Sequence, residues 1–179
     1  MQGLLAFSRA IDRLNRAFAI IANCCVLLAV LISATNAVVR YLAHYSSNAY
    51  LEVQWYLFAA MVMLGTSYTL KMNGHVRVDL IYSSISDRQR IYVDILGLVF
   101  FLLPAVGFLV YLTFPFFTSS FRSGEMSMNA GGLVLWPAKL MIPLGFILLA
   151  LQGLSELIKR ISALRGLVEI DTHYEKPLQ

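Results

Sequence analysis

Charged side chains are scarce in this sequence of 179 residues, in which Asp, Glu, Lys and Arg together make up 13%. They are absent from residues 17–39, 53–70 and 95–121, and Lys139 is the only one within 133–155. At about 1.5 Å per helical residue, each stretch is long enough to cross a hydrocarbon core roughly 30 Å thick. The sequence therefore predicts an integral membrane protein with four transmembrane helices.

Residues that carry chemistry are also few. The only cysteines, Cys24 and Cys25, are adjacent within the first stretch, where they form neither an ordinary disulfide nor a spaced thiolate cage. His44, His75 and His173 all lie outside the stretches, so no pair is placed to hold a haem. No carboxylate lies in the middle of a stretch to act as an ion relay. We expect a non-enzymatic subunit with no cofactor or metal of its own.

The basic residues predict the orientation. One side of the membrane would hold Arg9, Arg13, Arg16, Lys71, Arg77, Arg88, Arg90, Lys159, Arg160, Arg165 and Lys176, which are most of the 14 basic residues. By the positive-inside rule this side is cytoplasmic. The predicted fold class is an all-α integral membrane protein with four transmembrane helices, a short N-terminal amphipathic helix on the cytoplasmic surface, and both termini cytoplasmic.

We expect one membrane domain over residues 1–179, with spans at about 17–39, 52–71, 90–118 and 133–157 and a cytoplasmic tail at 165–179. The lead-in, residues 1–16, separates apolar from charged residues at helical spacing. It is either a helix that lies on the inner leaflet, with its arginines near anionic head groups, or an ordinary helical lead-in to the first span. Its apolar face comprises Leu4, Phe7, Ile11, Leu14 and Phe18.

Small and weakly polar residues form stripes on the first and last spans. Because small residues let helix backbones approach closely in lipid, such stripes predict packing faces. The first stripe comprises Ala22, Cys25, Ala29, Ser33 and Asn36, and the second comprises Gly145, Leu149, Gln152 and Glu156. Glu156 is placed to pair with Lys159 or Arg160, and Ser86 with Gln89 fits a capping box.

The segment LKMNGHVRVDLI, residues 70–81, concentrates His75, Arg77 and Asp79 after the second span. Two nearby ligands are too few for a metal site, so the segment is either a solvated loop or a turn fixed by Arg77 and Asp79. Gly74 would let the chain turn. On the other side of the membrane, Glu52 stands at the start of the second span, where a solvated carboxylate near a helix N-terminus is its plain interpretation.

These residues resemble a known family. The segment LEVQWYLFAAMVMLGTSYTLKMNGHVRVDLI, residues 51–81, is similar to the small membrane subunit, the DctQ type, of tripartite ATP-independent periplasmic (TRAP) transporters. The later stretch GGLVLWPAKLMIPLGFILLALQGLSELIKRI resembles the last helix of that family. The matching positions are Glu52, Trp55, Gly65, Gly74, His75, Asp79, Trp136, Pro137, Pro143 and Gly145.

The resemblance implies a small scaffold subunit in a bacterial or archaeal inner membrane. Its partners would be a large permease subunit, which moves elevator-fashion and carries the sodium and substrate sites, and a periplasmic substrate-binding protein. The imported substrate would be a small organic anion of the carboxylate or sialic acid class, whose identity cannot be read from this chain. The alternative is a membrane anchor for a respiratory or other redox complex.

Two surfaces are candidates for these partners. The large subunit would contact the small-residue stripes, at Ala22, Ala29, Ser33, Gly145, Leu149 and Gln152. The binding protein would dock near charges on the periplasmic side, at Glu52, Arg122 and Glu125.

Overall fold

The computed structural model describes residues 2–45, 47–74, 85–130 and 132–168. Within these ranges the regular structure is helical, and the expectation of an all-α protein is confirmed. The elements are α1 (Gln2–Ala43), α2 (Asn48–Lys71), α3 (Asp87–Gly97), a π-helical turn (Leu98–Leu102), α4 (Leu103–Ser123) and α5 (Trp136–Leu164). His75, Arg77 and Asp79 lie outside the described residues.

Among the described residues, three helical segments are long and apolar enough to cross a membrane. They are α1, α5, and the continuous run of α3, the π-helical turn and α4 (Asp87–Ser123). Helix α2, with 24 residues, coincides with the second predicted span but is shorter and less apolar. A crossing by α2, and the cytoplasmic position of both termini, stay predictions.

Helix α1 is continuous over 42 residues, so the prediction of a separate amphipathic helix at its start is wrong. The residues that face the bundle there are Ser8, Ile11 and Asn15, whereas Leu4 and Phe7 are about half exposed. The reason is that Ser8 and Asn15 find hydrogen-bonding partners on α5. The lead-in is therefore the first part of the long helix.

The helices pack around α5, which contacts α1, α2, α3, the π-helical turn and α4. Its core contact with α1 and α2 is made by Ala22, Cys25, Ala60, Leu64 and Leu148. Helices α2 and α5 cross at Gly145, where an added Cβ would lie 2.6 Å from the carbonyl oxygen of Met63 and 2.7 Å from its Cβ. Small residues thus set the separation of these helices, as expected for helices in lipid.

The π-helical turn interrupts the third long segment just before Pro104. The N–H of Leu103 donates to the carbonyl of Leu98, five residues earlier, and Pro104 has no N–H to continue an α-helical ladder. The turn packs on Gly153 of α5, where an added Cβ would lie 2.8 Å from Leu102 Cδ2. Glycine at this position therefore makes room for the widened turn.

Candidate functional site

A cluster of polar side chains lies at one end of the bundle, and we call it the polar clamp. It comprises Ser8, Asp12, Asn15, Asp94, Gln152, Ser155, Glu156, Lys159 and Arg160. These residues come from α1, α3 and α5, and Lys71 of α2 joins them by donating from Nζ to the backbone oxygen of Asp12 at 3.2 Å. The clamp therefore connects four helices that are far apart in sequence.

Gln152 is the centre of the clamp and is fully buried. Its Oε1 accepts a hydrogen bond from Asn15 Nδ2 at 2.6 Å, and its Nε2 donates to Asp12 Oδ1 at 3.0 Å and to Glu156 Oε1 at 2.9 Å. Beside it, the hydroxyls of Ser8 and Ser155 lie 2.7 Å apart. Both hydrogens of the Gln152 amide are thus used, as a buried polar group requires.

The charges of the clamp are paired with one another. Arg160 donates from Nη1 to Glu156 Oε2 at 2.6 Å and from Nε to Asp94 Oδ2 at 2.9 Å. Lys159 contacts the Asp12 carboxylate at 3.3 Å and also pairs with Glu156. The prediction that Glu156 pairs with Lys159 or Arg160 is confirmed. Because each carboxylate is held by a cation, the arrangement is suited to fixing helices and not to carrying protons.

At the other end of the bundle, the carboxylate of Glu52 holds the loop of residues 124–130 and 132–135, which we call the outer loop. Glu52 Oε1 accepts from Ser127 Oγ at 2.5 Å and from Asn129 Nδ2 at 2.8 Å, and Oε2 accepts from the Leu133 N–H at 2.7 Å. The side chain is only 2% exposed. The interpretation of Glu52 as a solvated residue is therefore wrong. Its buried carboxylate is also not accessible to a docked protein.

The outer loop has further internal contacts. Residues 126 and 134 form an isolated antiparallel bridge, and the Ser127 N–H donates to the Leu133 carbonyl at 2.9 Å. Tyr56 Oη donates to the Val134 carbonyl at 2.9 Å. At Gly132 an added Cβ would lie 2.5 Å from the Ser127 oxygen, so only glycine fits there. The loop is a defined turn that Glu52 anchors to α2.

Glu125 of this loop forms an ion pair with Lys139 of α5, in which the Glu125 side chain is partly exposed and that of Lys139 is largely buried. Lys139 Nζ lies 2.5 Å from Glu125 Oε2 and 4.2 Å from the centre of the Phe116 ring. The hydrogen bond from Lys139 holds the pKa of Glu125 below its ordinary value of 4.5. Arg122 is exposed close by along the chain, at the end of α4. Of the predicted docking residues, Arg122 and Glu125 are thus accessible.

The stripes predicted to bind the large subunit are partly used within this chain. Ala22 and Gly145 are buried against α2, and Gln152 is buried in the clamp, so these residues offer no surface to a second protein. The physical reason is that small residues serve any close helix contact, and the contact made here is internal. Of the remaining candidates, Leu149 and Ala29 are half-buried and Ser33 is exposed.

The other motif residues have separate surroundings. Trp55 is 63% exposed, and Pro143 is buried in α5. A Cβ added at Gly65 would lie 4.0 Å from the Cβ of Ala22. Trp136 packs edge-on against Phe121 with ring centroids 5.3 Å apart. The turn after α2 differs from the prediction, because the residue with positive φ is Asn73 at 57° and not Gly74. Asn73 is a residue type that tolerates this conformation at a helix end.

Sequence reasoning missed the clamp, although a signal for it was present. Counting back from Ala22 by helical steps gives Ala19, Asn15, Ile11 and Ser8, so the small and polar stripe extends to the start of α1. The charges of the lead-in drew attention to its arginines. The buried face was the weakly polar one.

These features define a class: a helical membrane subunit whose buried charges are paired with one another. Within the described ranges, no group of three or more His, Cys, Asp or Glu side chains is placed to hold a metal ion. The family model for the DctQ component of tripartite ATP-independent periplasmic transporters matches residues 29–163, three quarters of the chain. The chain therefore belongs to the DctQ family, as the sequence indicated. Comparisons with curated proteins and with solved structures gave no match.

Membership of this family makes the chain a transporter component, and it implies association with a large permease subunit and a binding protein. The family and the three apolar helices indicate a protein of the inner membrane.

Proposed function

We propose that this chain is the small scaffold subunit of a sodium-coupled, binding-protein-dependent TRAP transporter that imports a small organic anion of the carboxylate or sialic acid class. Its task is to brace the large elevator-type permease subunit, on which we expect the sodium and substrate sites. The family match supports the transporter assignment. The bracing role is argued from the internal contacts of the bundle.

The observation that carries this proposal is the polar clamp. A brace has to resist the forces that a moving partner exerts, so its helices need strong lateral connections. Gln152 and Arg160 provide them, since their side chains bind residues of α1, α3 and α5. Buried, charge-assisted hydrogen bonds are among the stronger polar contacts in proteins.

We place the contact with the large subunit on the outer half of α1. The small-residue stripe continues there through Ala29 and Ser33, but α1 contributes no buried residue beyond Cys25. A groove of about 210 Å³ opens beside this segment, lined by Leu31, Ile32, Thr35, Asn36, Val39 and Tyr50. A stripe that is buried at one end and half-buried to exposed at the other is suited to a second helix that completes the packing.

Replacing both Ala29 and Ser33 with Leu tests this placement. We expect a loss of co-purification with the co-expressed large subunit and a matching loss of uptake in proteoliposomes. Ala34→Leu is the control, because Ala34 is exposed and lies off this stripe on α1. Complex recovery and uptake equal to those of the Ala34 variant would remove these residues from the interface.

The accessible charges at the outer loop support a second part of the proposal, the docking of the binding protein. Arg122→Glu should weaken binding-protein-dependent uptake while leaving the complex with the large subunit intact. Normal uptake and normal docking in this variant would sink the idea. Sodium coupling is tested on the whole complex, where uptake should require an inward sodium gradient.

A further inference from the structure

One face of α1 carries a row of arginines. Arg9, Arg13 and Arg16 follow one another at spacings of four and three residues, so they lie on the same side of the helix, and all three are exposed. The same side continues along α1 with two apolar residues that are 60% and 61% exposed, Ile20 and Leu27. This surface points away from the buried face of α1 and has a charged end and an apolar end.

Among the residues that the structure describes, no acidic side chain pairs with the arginine row. Asp12 is the only acidic residue of α1, and its carboxylate points into the bundle, where it binds Gln152, Ser155 and Lys159 at 3.0, 2.9 and 3.3 Å. Within the part of the chain that the structure describes, none of the ion pairs involves the three arginines. The clamp thus engages the single carboxylate of α1 and leaves it directed away from the arginine row.

The dimensions of this surface match one leaflet of a bilayer. Arg13 and Arg16 are separated by about 4–5 Å along the helix axis, which fits within one headgroup layer of roughly 5–8 Å, and Arg9 lies about 6 Å further along the axis. From Arg16 to Leu27 the rise is about 16 Å, which equals roughly half of the hydrocarbon core. A phospholipid lying along α1 would therefore place its phosphate at the arginines and its acyl chains beside Ile20 and Leu27.

We propose that this face of α1, which we call the arginine face, binds anionic phospholipid, with guanidinium groups donating to the lipid phosphate. Guanidinium forms paired hydrogen bonds to phosphate oxygens, and an anionic headgroup supplies the charge that Asp12 does not. The site is independent of the transport role, because it uses a face opposite the clamp and apart from the proposed contact at Ala29 and Ser33.

Lipid titration followed by native mass spectrometry tests the proposal on the full-length chain in detergent. The probes are phosphatidylglycerol, zwitterionic phosphatidylcholine, and glycerophosphoglycerol, which has the headgroup without acyl chains. We expect phosphatidylglycerol to bind in preference to the other two. Changing the three arginines together to Gln should weaken its binding on the order of a hundredfold at low salt, roughly fivefold per arginine, and leave phosphatidylcholine unaffected.

Two variants serve as controls. Arg40→Gln with Arg122→Gln removes exposed arginines outside this face and should bind phosphatidylglycerol like the wild type. Changing Arg9, Arg13 and Arg16 to Lys retains the charge but loses the paired hydrogen bonds, so this variant should bind more weakly than the wild type and more tightly than the Gln variant. If the triple Gln variant does not fold, the wild-type affinity measured at 50 and 500 mM salt replaces it, since exposed charges are strongly screened at the higher concentration.

Three outcomes would overturn the proposal. Equal binding of phosphatidylglycerol and phosphatidylcholine by the wild type would show that the arginines do not select charge. Equal binding of glycerophosphoglycerol and the intact lipid would indicate a phosphate site without an apolar part. Loss of the lipid preference when the large subunit is bound would show that protein, and not lipid, covers the arginine face.

Discussion

Replacing Gly145 with Ala would show whether the crossing of α2 and α5 is an internal contact of this chain. The added Cβ would lie 2.6 Å from the carbonyl oxygen of Met63 and 2.7 Å from its Cβ. Carbon atoms pack best at about 3.5–4.0 Å, so the two helices would have to separate by about 1 Å. A new rotamer of Met63 gives no relief, since both of these atoms are fixed by the backbone.

The expected cost follows from two opposing terms. Overpacking a tight contact costs about 1–3 kcal/mol, and alanine in a helix interior gains up to about 1 kcal/mol over glycine. We therefore expect Gly145→Ala to lower the free energy of unfolding by roughly 1–2 kcal/mol. Gly107→Ala on α4 is the matched control, because a Cβ there meets no atom within 4 Å. For Gly107→Ala we therefore expect only the gain of about 1 kcal/mol or less that alanine has over glycine in a helix.

The assay is unfolding of the purified full-length chain by sodium dodecyl sulfate, without a partner, followed by the fluorescence of Trp55 and Trp136. Gly145→Ala should unfold at a lower detergent fraction than the wild type, and Gly107→Ala at the same or a higher one. The reasoning is refuted if both variants unfold alike while Gly145→Ala alone loses co-purification with the large subunit. Gly145 would then belong to the interface between subunits, as the sequence predicted.

Three further predictions concern the polar contacts. Glu52→Gln keeps the size of the side chain but removes its charge, so hydrogen–deuterium exchange of the Leu133 amide should become roughly tenfold faster, while exchange in α5 stays constant. An unchanged exchange rate at Leu133 would contradict the anchoring role of Glu52. Gln152→Leu removes three buried hydrogen bonds and should destabilise the chain by about 2–3 kcal/mol in the same detergent titration; wild-type stability would mean that the clamp contributes nothing. The contribution of Glu125 to folding stability is complete above its ordinary pKa of 4.5 and is lost as the pH falls through its lower pKa in the folded chain. The carboxyl NMR resonance of Glu125 should therefore titrate with a midpoint below 4.5, and this midpoint should rise in Lys139→Gln. A midpoint at or above 4.5 in the wild type would argue against the ion pair.

Local sequence signals predicted the helices and their local contacts. The uncharged stretches coincide with α1, α2, α4 and α5, because helical structure satisfies the backbone where water is absent. The capping box at the start of α3 is present, with Gln89 Oε1 accepting from the Ser86 N–H at 2.9 Å. These features depend on residues a few positions apart.

Contacts between distant segments could not be predicted in this way. The position of Glu52 after a helix start is the same whether its carboxylate contacts water or a loop. Its partners Ser127 and Leu133 are 75 and 81 residues away. Asp12 and Gln152 are 140 residues apart, and neither sequence neighbourhood indicates the other. The small-residue stripes predicted burial correctly at Ala22 and Gly145 but not at Ser33, which is exposed. They did not indicate which helix packs against them, since a helix of this chain and a helix of a second subunit both require small residues at a close contact.

Helices α5 and α1 differ in how their buried contacts are distributed along their length. Near its start α5 is held by the pairing of Lys139 with Glu125, and near its end by Gln152 and Arg160 in the clamp. Helix α1 shares that clamp, but from residue 26 to residue 43 it contributes no buried side chain. Backbone opening is less costly where few contacts must break, so exchange along α1 should be slow up to Cys25 and faster beyond it. Binding of the large subunit at Ala29 and Ser33 would then order the outer half of α1 without disturbing the clamp, and the protection gained on assembly should be confined to that half.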